Sequence, residues 1–159
     1  MGILTEDMKR VVQEQRLGFI ATVCPDGTPN LSPKGTTTVW DDDHLVFADL
    51  RSPVTMANLH SNPALEINVV DTFLRKGYRF KGTATILTEG QIYDEVIARY
   101  RSRRINNPVR AIVLVKVERA LPLISPAYDL GSTEDEIGRE WDQYWASLRQ
   151  GKAGVPVGE

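Results

Sequence analysis

Hydrophobic and polar positions along the chain fall into two periods. Met8, Val11 and Val12 recur at helical spacing behind Thr5, a favoured N-cap, with Glu6 and Asp7 in the first turn, so the chain is predicted to open with a helix. From Gly18 to Cys24 the residues are mostly apolar and β-prone, as in a buried strand. Asp26-Gly27, inside "PDGT", signals a hairpin turn. A strand over residues 29–40 follows, turns at "DDD" (41–43) and returns as "HLVFADL" (44–50), which predicts a three-stranded antiparallel meander. Next come a short helix from Pro53 to about Ser61, a fourth strand over 62–71 and a fifth over 75–88. In the fifth, Tyr78, Phe80, Gly82, Ala84 and Ile86 alternate with Arg79, Lys81, Thr83 and Thr85. Thr88 and Gln91 fit a capping box before a helix whose face is Ile92, Val96 and Tyr100. The run "VRAIVLVKVERAL" (109–121) predicts a sixth strand. A last helix, about residues 133–149, has the capping pair Thr133 and Glu136 and one face of Ile137, Trp141, Tyr144, Trp145 and Leu148. Residues 151–159, with Gly and Pro and little to bury, are expected to be a flexible tail.

Six strands joined by short hairpins, without βαβαβ alternation, predict a small antiparallel β-barrel with peripheral helices. The 159 residues suit one domain, spanning 1–150. Net charge is −2, so no global basic field draws nucleic acid or an anionic membrane surface. The basic run "RYRSRR" (99–104) is read as a solvated helix C-terminus. No apolar stretch reaches the roughly 18 residues needed to span a bilayer. The start lacks the order of a signal peptide, and the single cysteine, Cys24, lies in an apolar run as a buried thiol would. A reducing cytosol is therefore the expected location. His44 and His60 are the only histidines and no ligand spacing accompanies them, so no metal site is expected.

Two stretches carry candidate chemistry. In "PNLSPKGTTTVW" (29–40), Pro33 cannot donate to a ladder and Gly35 has no side chain to pack. Such an interruption marks either a bulge or edge, or a backbone cleared for a flat ligand. In "ADLRSPVTMANL" (48–59), Ser52 suits the N-cap and Pro53 the first helical position. Val54 and Thr55 then offer free N–H groups at the positive end of the helix, Thr55 adds a hydroxyl and Arg51 a charge. Such an end binds phosphate, although an ordinary helix start has the same signature. The predicted meander sets Lys34 and Gly35 across the sheet from the segment before Arg51. Together these would form a bed for a planar ring system carrying a phosphate.

The ordered set "GFIATV", "PDGTPNLSPKG", "LVFAD", "ANLHSNPALEINVV" and "RFKGTATI" resembles the pyridoxamine 5′-phosphate oxidase-like, FMN-binding split-barrel superfamily over about residues 5–120. The resemblance implies a six-stranded antiparallel split β-barrel of Greek-key type with peripheral helices. It also implies a homodimer with FMN in a groove at the subunit interface. By position, Ser32, Pro33, Lys34 and Gly35 would run along the isoalloxazine ring and ribityl chain, with Asp49, Ser52, Val54 and Thr55 around the ribityl and phosphate. Two departures stand out. Val54-Thr55 occupies the place of the basic pair of the vitamin B6 oxidases, and "GREWDQYW" replaces their basic C-terminal segment. A true pyridoxamine 5′-phosphate oxidase is therefore not expected. The function implied is an FMN-dependent oxidoreductase acting by hydride or electron transfer on a small redox partner, with no catalytic side chain assigned. An FMN carrier, use of a deazaflavin and a cofactor-free binding module are the alternatives. Arg75, Lys76 and Arg79 are candidates to reach a partner's flavin, with a solvated hairpin as the plainer reading. Trp141 and Trp145 would either cover a cofactor or pack.

Overall fold

Seven strands and four helices occupy the residues described by the computed structural model, 2–151. The helices are α1 (Glu6–Gln15), α2 (Pro53–Ser61), α3 (Gln91–Ser102) and α4 (Glu134–Gly151). The strands are β1 (Gly18–Val23), β2 (Pro29–Lys34), β3 (Thr38–Val39), β4 (His44–Asp49), β5 (Ala64–Asp71), β6 (Lys76–Leu87) and β7 (Ala111–Ile124). They form a single antiparallel sheet in the order β2-β1-β5-β6-β7-β4-β3, curled into a split barrel. Of the tail expected over 151–159, Gly151 closes α4 and the rest lies outside the described residues. No described helix is long and apolar enough to cross a membrane.

The predicted meander does not form. β2 pairs with β1, Gly18 opposite Lys34 and Val23 opposite Pro29, and stops at Lys34. There the N–H and the hydroxyl of Thr37 both donate to the Lys34 carbonyl, at 3.3 and 2.9 Å, closing a tight turn. Only Thr38 and Val39 then rejoin the sheet, opposite Val46 and Leu45, so residues 29–40 supply two strands and the total is seven rather than six. Burial explains the rearrangement. β4 is buried on both faces and paired on both edges, by β7 along its whole length and by Thr38 and Val39 of β3 on the other side. The Pro- and Ser-bearing β2 buries neither face fully and is suited to a sheet edge. The corner at 35–37 crosses the start of β1 closely: a Cβ on Gly18 would stand 2.6 Å from the Thr37 hydroxyl oxygen.

Alternate residues of the strands fill the barrel: Ile20, Leu45, Phe47, Ile67, Val69, Phe80, Val113 and Val115 are buried together, capped by Val11 and Val12 of α1. The other face of β4, Val46 and Ala48, packs with Ile112 against Val96 and Tyr100 of α3. Of the four helix starts expected from the sequence, two are capped by the expected side chains. Thr5 accepts from Met8 N–H, and Thr133 and Glu136 form their reciprocal box. The Thr88–Gln91 box does not form, because Gly90 takes the N-cap position at φ 101° and the Gln91 amide turns to Glu95.

Candidate functional site

The ends of β2 and β4, brought to opposite sides of the 35–37 corner, enclose a cleft of about 400 Å³. Its lining is Pro33, Lys34, Gly35 and Thr36 from the corner, Ala48, Leu50 and Arg51 from the end of β4, and Ile105 and Asn107 from the loop after α3. The corner is fixed from both sides. Ala48 N–H donates to the Thr36 hydroxyl at 2.9 Å, and the buried Tyr100 hydroxyl donates to the Thr36 carbonyl at 2.9 Å. Burial pushes the Tyr100 phenol far above its ordinary pKa, so it stays a neutral donor. Gly35 is not forced by packing. A Cβ there would meet nothing nearer than the Arg16 carbonyl at 3.9 Å, so the missing side chain leaves open floor.

The charge is arranged around one carboxylate. Lys34 Nζ donates to the Ser32 hydroxyl at 2.7 Å; burial pushes the lysine's pKa down, and the Asp49 carboxylate opposes that shift. Asp49 Oδ1 also accepts from the N–H and the hydroxyl of Ser52, at 2.9 and 2.7 Å, locking the turn into α2. Ser52 holds the N-cap position without capping the helix through its side chain; its hydroxyl donates to Asp49. Thr55 is likewise turned inward: it is 2% exposed and its hydroxyl oxygen accepts from Asn30 Nδ2 at 3.3 Å. Val54 is exposed, and the first helical N–H to find a carbonyl is that of Met56, bonded to Ser52. The N–H groups of Val54 and Thr55 have no partner among the described residues.

Of the eight residues singled out from the sequence, Pro33, Lys34 and Gly35 line the cleft, Ser32 accepts from Lys34, and the Asp49 carboxylate acts on Lys34 through its charge. Ser52, Val54 and Thr55 form the start of α2: the N–H groups of Val54 and Thr55 are unpaired among the described residues, while Ser52 N–H and the hydroxyls of Ser52 and Thr55 are already engaged. Thr36, Ile105 and Asn107 were not anticipated, since Thr36 lies in a stretch read as strand and Ile105 and Asn107 fall between the basic run (99–104) and the sixth strand (109–121). A side arm of about 210 Å³ shares Gly35, Thr36 and Ile105 with the cleft and adds Arg16 and Arg103. A larger depression along α1, about 570 Å³, is walled only by polar and charged residues such as Lys9 and Glu6, already paired with each other, and has no apolar or aromatic residue to pack on a ring.

The other candidates are tied within the chain. Arg75 stacks on Trp141 at 3.9 Å, Lys76 pairs with Glu134 at 2.6 Å and Arg79 with Glu66 at 2.9 Å. The run at 99–104 is more than a solvated end. Arg99 lies over Trp40 at 4.2 Å and Arg103 donates to Thr38 at 2.9 Å, binding α3 to the barrel. Among the described residues no three metal-ligating side chains converge. Cys24 is half-buried and accepts from Asn58.

Comparison with known proteins gives the geometry a context. Residues 4–123 match the family described as "Pyridoxamine 5'-phosphate oxidase". A protein of Methanocaldococcus jannaschii, MJ0282, is 31% identical over 90 residues, 55% of this chain and 59% of that one, so the chain spans about three fifths of that relative's length. The structure of HupZ from Group A Streptococcus is similar with a TM-score of 0.71 and 35% identity, covering 77% of this chain and 96% of its own. An FMN-binding protein from Syntrophomonas wolfei shares the fold at a TM-score of 0.66 and 21% identity, over 75% of this chain and 85% of its own.

Proposed function

Because the chain belongs to the pyridoxamine 5′-phosphate oxidase family, we propose that its cleft binds FMN and that the protein is a flavin-dependent oxidoreductase acting on a small substrate. The cleft carries this reading. Its volume of about 400 Å³ lies within the roughly 300–1,000 Å³ of small-molecule sites. Its floor is open at Gly35, and Arg51 in its lining lies three and four residues before the unpaired N–H groups of Val54 and Thr55 at the start of α2. The residues present fit a flat ring with an anionic tail. Pro33, Lys34 and Gly35 would flank the ring and ribityl chain, while Arg51 and the N–H groups of Val54 and Thr55 would meet the phosphate. Asp49 acts indirectly, through its charge on Lys34 and, with Ser52, by holding the turn into α2.

FMN, when bound, supplies hydride and single-electron chemistry; the chain supplies orientation, charge and shelter from water. Lys34 places positive charge beside the ring. Asp49, with two hydrogen bonds from Ser52, is not poised as a base. Arg16 and Arg103 in the side arm favour a substrate that carries negative charge.

The same reading includes a homodimer. Phe19 lies opposite Pro33 and Ala21 opposite Leu31, so an apolar face of β1 and β2 runs to the rim of the cleft. Leu17, Phe19, Val23 and Leu31 are exposed on that part of the chain, and Asn68, opposite Phe19, has a buried Oδ1 without a hydrogen bond. A second copy would cover this face and close the groove. Steady turnover of reduced nicotinamides with quinone or nitro-aromatic acceptors by the FMN-loaded protein supports the enzyme. FMN that binds but never turns over would point to a carrier, and mass spectrometry of the co-purifying ligand tells FMN from a deazaflavin.

A further inference from the structure

Beneath the start of α2 lies a set of polar side chains that neither the core nor the cleft lining explains. Asn30 Nδ2 donates to the Thr22 hydroxyl at 3.1 Å and to the Thr55 hydroxyl at 3.3 Å. Asn58 Nδ2 donates to the same Thr22 oxygen at 3.0 Å and to Cys24 Sγ at 3.4 Å. Thr22, Thr55 and Asn58 are each 2% exposed. Buried polar groups cost free energy unless paired, and apolar side chains of the same size would pack at least as well. Stability alone therefore does not account for them. What they do specify is register between three elements: β1 through Thr22, β2 through Asn30, and α2 through Thr55 and Asn58.

We propose that Asn30 is a positioning residue that sets the spacing between the two ends of the cleft. The inference rests on the flavin reading above. Asn30 belongs to β2, the strand that ends in Pro33 and Lys34 along the proposed ring site. Its partner Thr55 belongs to the first turn of α2, whose free N–H groups face the proposed phosphate. The Asn30–Thr55 hydrogen bond is thus a direct side-chain link between ring floor and phosphate end. It also biases the Thr55 hydroxyl. With its oxygen already accepting, the hydroxyl keeps its proton for a further acceptor, and it makes no other hydrogen bond among the described residues. Neutral riboflavin asks little of this spacing, whereas FMN needs both ends in place at once.

Four proteins test the role: wild type, Asn30→Ala, Thr55→Val and the conservative Thr55→Ser, each titrated with FMN and with riboflavin. Amide exchange of α2 is followed in the ligand-free state. Asn30→Ala and Thr55→Val are expected to weaken FMN about tenfold and riboflavin less than about twofold, with Thr55→Ser near wild type. Exchange at Met56 to Leu59 should accelerate in Asn30→Ala. Equal loss of both flavins, or unchanged FMN affinity in Asn30→Ala, would overturn the role while leaving the cleft as a flavin site. Wild type holding FMN no better than riboflavin would overturn the phosphate site, and the role with it.

Discussion

Replacing Gly35 with Leu separates what the fold needs from what the cleft needs. The backbone at Gly35 is not left-handed, and a Cβ there would meet nothing nearer than the Arg16 carbonyl at 3.9 Å, so the first atom of a side chain meets neither strain nor clash and the rest extends over the open floor. Losing glycine restricts the unfolded chain, and at an unstrained site this stabilises by about 0.4–1 kcal/mol. The ligand-free variant should therefore match or slightly exceed wild type. Binding should move the other way. The leucine side chain would stand on the open floor between Lys34 and the side arm, where the ring has to lie. Overpacking of this kind costs about 1–3 kcal/mol, or roughly five- to 150-fold in affinity. Urea unfolding of the ligand-free protein gives the first quantity and quenching of flavin fluorescence the second. A loss of stability above about 1 kcal/mol would show that Gly35 serves the corner itself. Undiminished FMN affinity would show that the ring lies elsewhere.

Tyr100→Phe deletes the bond that holds the corner from α3 and leaves the Thr36 carbonyl unpaired; urea unfolding should show a loss of about 1–3 kcal/mol, and a change below about 0.5 kcal/mol contradicts the anchoring role. The Asp7 carboxyl is held below the usual carboxylate range by the Tyr78 hydroxyl first and by Arg10 next. Its folded pKa is thus depressed, so its contribution is present above the ordinary carboxylate range and is lost as pH falls through the folded value. Asp7→Asn should flatten the acid limb of the stability–pH curve below about pH 4, and an unchanged limb would refute this assignment.

Much of the architecture was legible because burial writes a short-range pattern. Gly18–Val23 and the alternation from Tyr78 to Ile86 announced strands, and Thr133 with Glu136 announced α4. Pairing was legible for the β1–β2 hairpin at Asp26-Gly27, but proximity in sequence suggested that all of 29–40 would also lie beside 44–50, where only Thr38 and Val39 do. The decisive quantity, the two-faced burial of β4, emerges only when β7 is present to satisfy it. The site divided in the same way. Pro33, Lys34 and Gly35 were visible as an interruption of a strand. The use of the Ser52 and Thr55 hydroxyls was not: Asn30 reaches Thr55 from 25 residues away, and the local Asp49–Ser52 bond forms in a turn whose N-cap signature suggested a different use of the hydroxyl. Ile105 and Asn107 enter the cleft only because α3 is tied down by Tyr100 and Arg103.

The central claim, that this cleft is a flavin site shared between two copies, is tested most directly by gel filtration of the protein after incubation with FMN, with the visible spectrum and light scattering recorded across the peak. The account predicts yellow protein with equimolar FMN, eluting at twice the chain mass of 17.8 kDa. Colourless protein, with all flavin recovered in the small-molecule fractions, would contradict it.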